Sequence, residues 1–139
     1  MQSKKIDTVI RGGTVVTLSG VAVQDIAIAE GKISELSSNI TSSASTEIDA
    51  RGLLVLPGGV DTHCHIEQMS GAGLMNADTF RTATRSAAMG GTTTTVSFAA
   101  QHAGQKMRKV VGDYAALSKK GAVIDHAFHM IVADTGNGS

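Results

Sequence analysis

The chain has 139 residues, with Lys+Arg and Asp+Glu equal at 12 each, so its formal net charge is zero. That balance removes the electrostatic case for nucleic acid or an anionic membrane surface as a partner. Apolar residues reach 42% but aromatics only 3%, so a globular core has to be built from Val, Ile, Leu, Ala and Met.

One cysteine, Cys64, cannot make an internal disulfide, and nothing argues for an oxidising compartment. Asp7 and Arg11 interrupt the apolar run a signal peptide needs. No stretch approaches the roughly 18 apolar residues of a membrane span. The expectation is a soluble, cytoplasmic protein.

In chain order, residues 1–56 read as short strands. Thr8-Val9-Ile10 and Thr14-Val15-Val16-Thr17 flank Gly12-Gly13, which predicts a hairpin there. Asp25 to Ala29 alternates with period two, turns through Glu30-Gly31, and continues as Lys32 to Leu36. Ser37 to Thr46 is nearly all Ser, Thr, Asn and Ala and suits an exposed loop. Ile48 and Leu53 to Leu56 resume strand character. About 55 residues of short strands make a poor independent core, so another segment is expected to complete this sheet.

Residues 57–139 alternate strand and helix. Leu53 to His65 reads as a strand entering through Pro57-Gly58-Gly59. Asp78 is the expected N-cap of a helix over Thr79 to Met89, stopped by Gly90-Gly91. Phe80, Ala83, Thr84 and Ala87 give that helix one small, mostly apolar face. Thr92 to Phe98 is rich in β-branched residues and reads as a strand. Met107, Val110, Val111, Tyr114 and Leu117 fall at helical spacing across Gln105 to Lys119. Val123 to Val132 is the third strand. The order βαβαβ argues for a parallel sheet or barrel, and three strands cannot close one.

The chemistry-bearing stretch is Pro57-Gly58-Gly59-Val60-Asp61-Thr62-His63-Cys64-His65. Side chains at i and i+2 of a strand share a face, so His63 and His65 project together, roughly 6–7 Å apart at Cα. Two imidazoles so placed can converge on one divalent metal. Cys64 points the other way and packs as a small apolar side chain. Asp61 is expected on the histidine face, where it could orient an imidazole from behind. A lone His-x-His is a weak signal. Here it ends the first strand of a βαβ series, where barrel enzymes place catalytic groups, and a glycine-rich loop, Ser70-Gly71-Ala72-Gly73, follows it.

The small N-terminal sheet, the Pro-Gly-Gly-Val-Asp-x-His-x-His strand and Gly90-Gly91-Thr92-Thr93-Thr94 resemble the amidohydrolase superfamily. Ala77-Asp78-Thr79-Phe80, Asp113-Tyr114 and Ala127-Phe128-His129-Met130 narrow the resemblance to its hydantoinase/dihydropyrimidinase branch. It runs from about Ile6 to Asp134. It implies an α/β fold in which a (β/α)8 barrel stands beside a β-sandwich built from both chain ends. Residues 1–56 would then be part of the sandwich and 57–139 the first βαβαβ portion of the barrel. It also implies two divalent metal ions, zinc-class, bridged by a carboxylated lysine. A bridging hydroxide would attack the ring carbonyl of a cyclic ureide or imide such as a hydantoin or dihydropyrimidine. His63 and His65 match the family's first two metal ligands. Residues 67–76 and 99–105 match in position the loops that shape the substrate pocket.

The resemblance places the bridging lysine, two further histidines and a metal-binding aspartate later than residue 139. The chain is therefore expected to be an N-terminal piece, inactive alone, with the family's tetramer expected only of a full-length chain. Lys119 and Lys120, at a helix end, read as solvated charges. The candidate pocket residues are Met69, Leu74, Met75, Phe98 and His102. The two methionines and Leu74 either wall a ring substituent or pack against a part of the barrel lying elsewhere. His102 either lines the pocket or is an exposed loop histidine, and His129 either points into the barrel near the metals or is a core histidine. An alternative to catalysis is a dihydropyrimidinase-like scaffold acting through protein–protein contacts.

Overall fold

The computed structural model describes residues 5–136; residues 1–4 and 137–139 lie outside the described residues. The chain is α/β and divides into two compact units, Met1–Pro57 and Gly58–Ser139.

The first unit is a sheet of β1 (Ile6–Thr17), β2 (Gly20–Ala29), β3 (Lys32–Ser37), β4 (Ala44–Asp49) and β5 (Leu54–Val55), ordered β3-β2-β1-β4 with β5 also beside β1. The β2–β3 hairpin turns at Glu30-Gly31 as expected, both at positive φ, 53° and 71°. Gly12-Gly13, expected as a hairpin turn, instead lies inside a continuous β1, and the chain reverses after Thr17. The register with β2 slips between Ile10 and Gly13, and Gly12 takes φ +63°. This is a bulge, for which glycine is as well suited as for a turn. Distant residues decide between the two. Gly12 N–H donates to Asp25 Oδ1 at 2.8 Å, and a Cβ on Gly13 would lie 2.5 Å from Val55 Cγ2.

The polar stretch 37–46 is mostly exposed, as expected, with Ile40 the exception. Ile40 is 2% exposed and forms a core with Val9 and Ala27, and Ala44 already begins β4. Asp25, 7% exposed, pins this segment. Its carboxylate accepts Ile40 N–H at 3.1 Å and Arg11 Nη1 at 3.1 Å, and Arg11 also bonds Glu47 at 2.7 Å.

The backbone N–H groups of Ile40 and Gly12, and then Arg11, hold the Asp25 carboxyl below its ordinary value of 3.8. On acidification the unfolded chain therefore protonates first. The stabilisation is complete above about pH 3.8 and drains as the pH falls through the lower folded value. Acid unfolding followed by circular dichroism should show this loss below about pH 4. Asp25→Asn should flatten it relative to the wild type, where Glu47 and Asp49 also contribute. An Asp25→Asn acid profile parallel to that of the wild type would remove Asp25 from the account.

The second unit runs β6 (Gly59–Cys64), α1 (Phe80–Met89), β7 (Thr92–Ala100), α2 (Met107–Lys119) and β8 (Asp125–Ile131), with parallel strands in the order β6-β7-β8. The single strand expected over Leu53 to His65 is split. Leu54–Val55 pairs with β1 and Gly59–Cys64 with β7, and Pro57, lacking an N–H, falls between them. Gly58 is required as glycine, because a Cβ there would lie 2.2 Å from the Thr93 side chain.

Helix α1 is capped one residue later than expected. Thr79 is the N-cap in a reciprocal capping box with Thr82, and Asp78 Oδ1 accepts the Thr82 hydroxyl at 2.8 Å. Its predicted face holds: Phe80 and Thr84 are buried, and Ala83 and Ala87 half-buried. Thr84 Oγ1 donates to Phe80 O and accepts Val123 N–H, tying the helix to the approach of β8. In α2, Val110 and Tyr114 are buried while Val111 turns outward. Both helices pack on one side of the sheet around Ile66, Phe80, Ala99, Val110 and Tyr114, with Cys64, Phe128 and Met130 against them.

Candidate metal centre

The other side of the β6-β7-β8 sheet carries the histidines. His63 and His65 are both exposed, with ring centroids 5.6 Å apart. Phe98 on β7 is the floor between them: His65 stacks on it at 4.8 Å and 17°, and His63 meets it edge-on at 4.7 Å. His129, in register with Phe98 on β8, lies 5.3 Å beyond. His129 is exposed in this chain. His126 and Phe128 face the opposite way, toward Phe80.

Cys64 is half-buried on the helix side, as its place between the two histidines requires. Asp61 does not share the histidine face. β6 is irregular: Asp61 is in register with Thr95 and Cys64 with Ser97, so three steps of β6 match two of β7. Thr95 and Ser97 are buried, alternating with Phe98. The bulge moves Asp61 out of the expected alternation. Its carboxylate accepts the backbone N–H of His63 at 3.0 Å. The Cys64 thiol is pushed up by burial and then by the charge of Asp61. Asp61 thus braces the bulge rather than an imidazole.

The segment after β6 folds back as a small hairpin. Met69 bridges Met75, Ser70 N–H donates to Leu74 O, and Asn76 N–H donates to Gln68 O at 3.0 Å. Two of its side chains reach His65, and neither was singled out from sequence. Gln68 Oε1 is 2.7 Å from His65 Nδ1, and Asn76 Nδ2 donates to His65 O at 2.8 Å. Glu67, at φ +49°, turns the chain here and accepts Phe80 N–H at the start of α1.

The candidate pocket residues do not converge. Met69, Met75 and His102 line a cleft of about 220 Å³ with Glu67, Gln105 and Tyr114, on the α2 side. Phe98 lies under the histidines instead, and Leu74, 71% exposed, belongs to neither place. The loop reverses direction within ten residues, so apolar residues adjacent in sequence end on different faces.

Among the described residues no group of three or more His, Cys, Asp or Glu side chains is placed to hold a metal ion. The pair itself fits a borderline divalent ion: two exposed imidazoles on one face, with His65 Nδ1 occupied and Nε2 left open. It is short of the three protein ligands of a usual catalytic zinc. No helix among the described residues is long and apolar enough to cross a membrane.

No protein-family profile matches the chain. It is 45% identical over 132 residues to a D-hydantoinase of Streptomyces coelicolor, covering 91% of this chain and 28% of that protein. A solved D-hydantoinase structure superposes with a TM-score of 0.90 at 38% identity, over 96% of this chain and 29% of that one. A dihydropyrimidinase from Brevibacillus agri NCHU1002 gives 0.88 at 35% identity, over 94% and 28%. The chain thus spans little more than a quarter of the length of the relatives it matches. Sequence and backbone agree along nearly all of its own length, and the chain belongs to the hydantoinase/dihydropyrimidinase family.

Proposed function

We propose that His63 and His65 are two protein ligands of a divalent metal, zinc by donor type, in a hydrolase that opens the C–N bond of cyclic ureides and imides such as hydantoins and dihydropyrimidines. The observation that carries this reading is the pair of exposed imidazoles side by side above Phe98, on the sheet face away from the helices. The names of the relatives, D-hydantoinase and dihydropyrimidinase, supply the substrate class. Bound there, the metal would supply Lewis acidity and a bound water of lowered pKa. His63 and His65 hold it, Phe98 floors the site, and Gln68 and Asn76 brace His65.

In this reading the first unit is part of a β-sandwich, and the second is the opening βαβαβ of a (β/α)8 barrel. Catalysis then belongs to a protein in which further donors join this pair: a second metal, the bridging carboxylated lysine, and the remaining histidines and aspartate. Lys119 and Lys120 are exposed at the end of α2 and do not serve as that lysine. A tetramer of such full-length chains is part of the same proposal.

The test is a chimera in which this sequence replaces the aligned segment of the Streptomyces coelicolor D-hydantoinase. Zinc-loaded chimera should open hydantoin, and the 139-residue chain alone should not. A folded, metal-loaded chimera without activity, or ring opening by the chain alone, would overturn the assignment.

A further inference from the structure

We propose that Gln68 is a positioning residue for His65: its side-chain oxygen selects the Nδ1–H tautomer, so that Nε2 is the nitrogen offered to a metal. The inference rests on the reading of His65 as a ligand for its consequence, but not for its geometry.

A neutral imidazole has one N–H and one lone pair, and which nitrogen carries the proton is set by what the other groups accept. Stacking on Phe98, at 4.8 Å and 17°, fixes the plane of the His65 ring. It does not fix which edge points where, because a half-turn about the ring's attachment bond preserves the stack. Gln68 Oε1, 2.7 Å from Nδ1, breaks that tie. An amide oxygen accepts, so Nδ1 donates and Nε2 keeps its lone pair. A flipped ring would present a C–H to the same oxygen and lose the bond.

Gln68 is itself held in place. Its carbonyl accepts Asn76 N–H at 3.0 Å, and the Asn76 side chain donates to His65 O at 2.8 Å. His65, Gln68 and Asn76 therefore form a closed ring of contacts in which one hairpin grips both the backbone and the imidazole of a single residue. The Met69–Met75 bridge and the Ser70–Leu74 bonds close that hairpin on itself. His63 has no such support: among the described residues its ring has aromatic neighbours but no hydrogen-bonded partner. Of the two imidazoles, His65 is the one set in advance. Metal-binding histidines generally need an acceptor on the nitrogen away from the metal, and loss of that acceptor typically costs about 10–100-fold in metal affinity.

The experiment reads the tautomer of His65 by nitrogen-15 NMR in the metal-free 139-residue chain, with the ring neutral, and then zinc affinity by competition with a chromophoric chelator. Wild type should show Nδ1–H. Gln68→Met, which keeps the bulk and removes the acceptor, should shift the population toward Nε2–H and weaken zinc binding by about 10–100-fold. Gln68→Glu, which restores an acceptor, should return the Nδ1–H form. A wild-type ring protonated at Nε2, or a tautomer indifferent to Gln68→Met, overturns the proposal. If Gln68→Met unfolds the hairpin, wild type and Gln68→Glu still decide, since an Nε2–H ring in either overturns it. A tautomer that follows Gln68 while zinc leaves His65 signals unmoved supports the positioning role and sinks only the metal reading.

Discussion

Phe80→Ala is expected to cost the Gly58–Ser139 unit about 3–5 kcal/mol of stability. Phe80 is 0% exposed, and its ring packs within 6.0 Å of Phe128 in the cluster of Ile66, Ala99, Val110 and Tyr114. Its neighbours are already packed against one another and against the sheet, so they can fill the vacated space only in part. The cavity is expected to persist, which puts the loss well above the bare transfer cost of the ring. Small domains have only about 5–15 kcal/mol in hand, so the substitution should bring the unit close to unfolding. Urea denaturation followed by circular dichroism measures it, and Phe80→Leu should lose less. A loss below about 1 kcal/mol for alanine would mean that the core relaxes around the gap. The effect should reach the candidate site, because Phe80 N–H is held by Glu67, two residues after His65.

His63→Ala and His65→Ala should each reduce zinc affinity by at least about 100-fold, the upper end of what loss of a supporting residue costs. The reason is the donor count: with two imidazoles on the face, removal of either leaves a single ligand. Calorimetric titration of the 139-residue chain measures this. Two controls sharpen it. Cys64→Ala should leave zinc binding intact, because the thiol lies on the helix side and burial holds it protonated. His129→Ala should have a much smaller effect than either ligand change, since Phe98 stands between that ring and the pair. Equal losses for Cys64→Ala and His65→Ala would mean that metal binds elsewhere than the proposed face.

Some of this was legible in the sequence because its signals are local. The order βαβαβ follows from helical spacing at Val110 and Tyr114 and from the β-branched run at Thr92 to Thr95. The shared face of His63 and His65, with Cys64 behind it, follows from the two-residue period of a strand. The buried face of α1 was readable from its helical spacing, and the family resemblance rested on short motifs, each made of residues adjacent in the chain.

What the tertiary structure alone decided depends on partners distant in sequence. Gly12-Gly13 can serve a turn or a bulge; Asp25 and Val55, 13 or more residues away, choose the bulge. Ile40 is buried in a polar stretch because Val9 and Ala27 need a third wall. Asp61 leaves the histidine face because β7 imposes a register that β6 must meet with an extra residue. Gln68 reaches His65 only after the hairpin closes. Periodicity states which face a residue prefers, but register, bulges and hydrogen-bond partners are settled when two segments meet, and that meeting is not written in either segment alone.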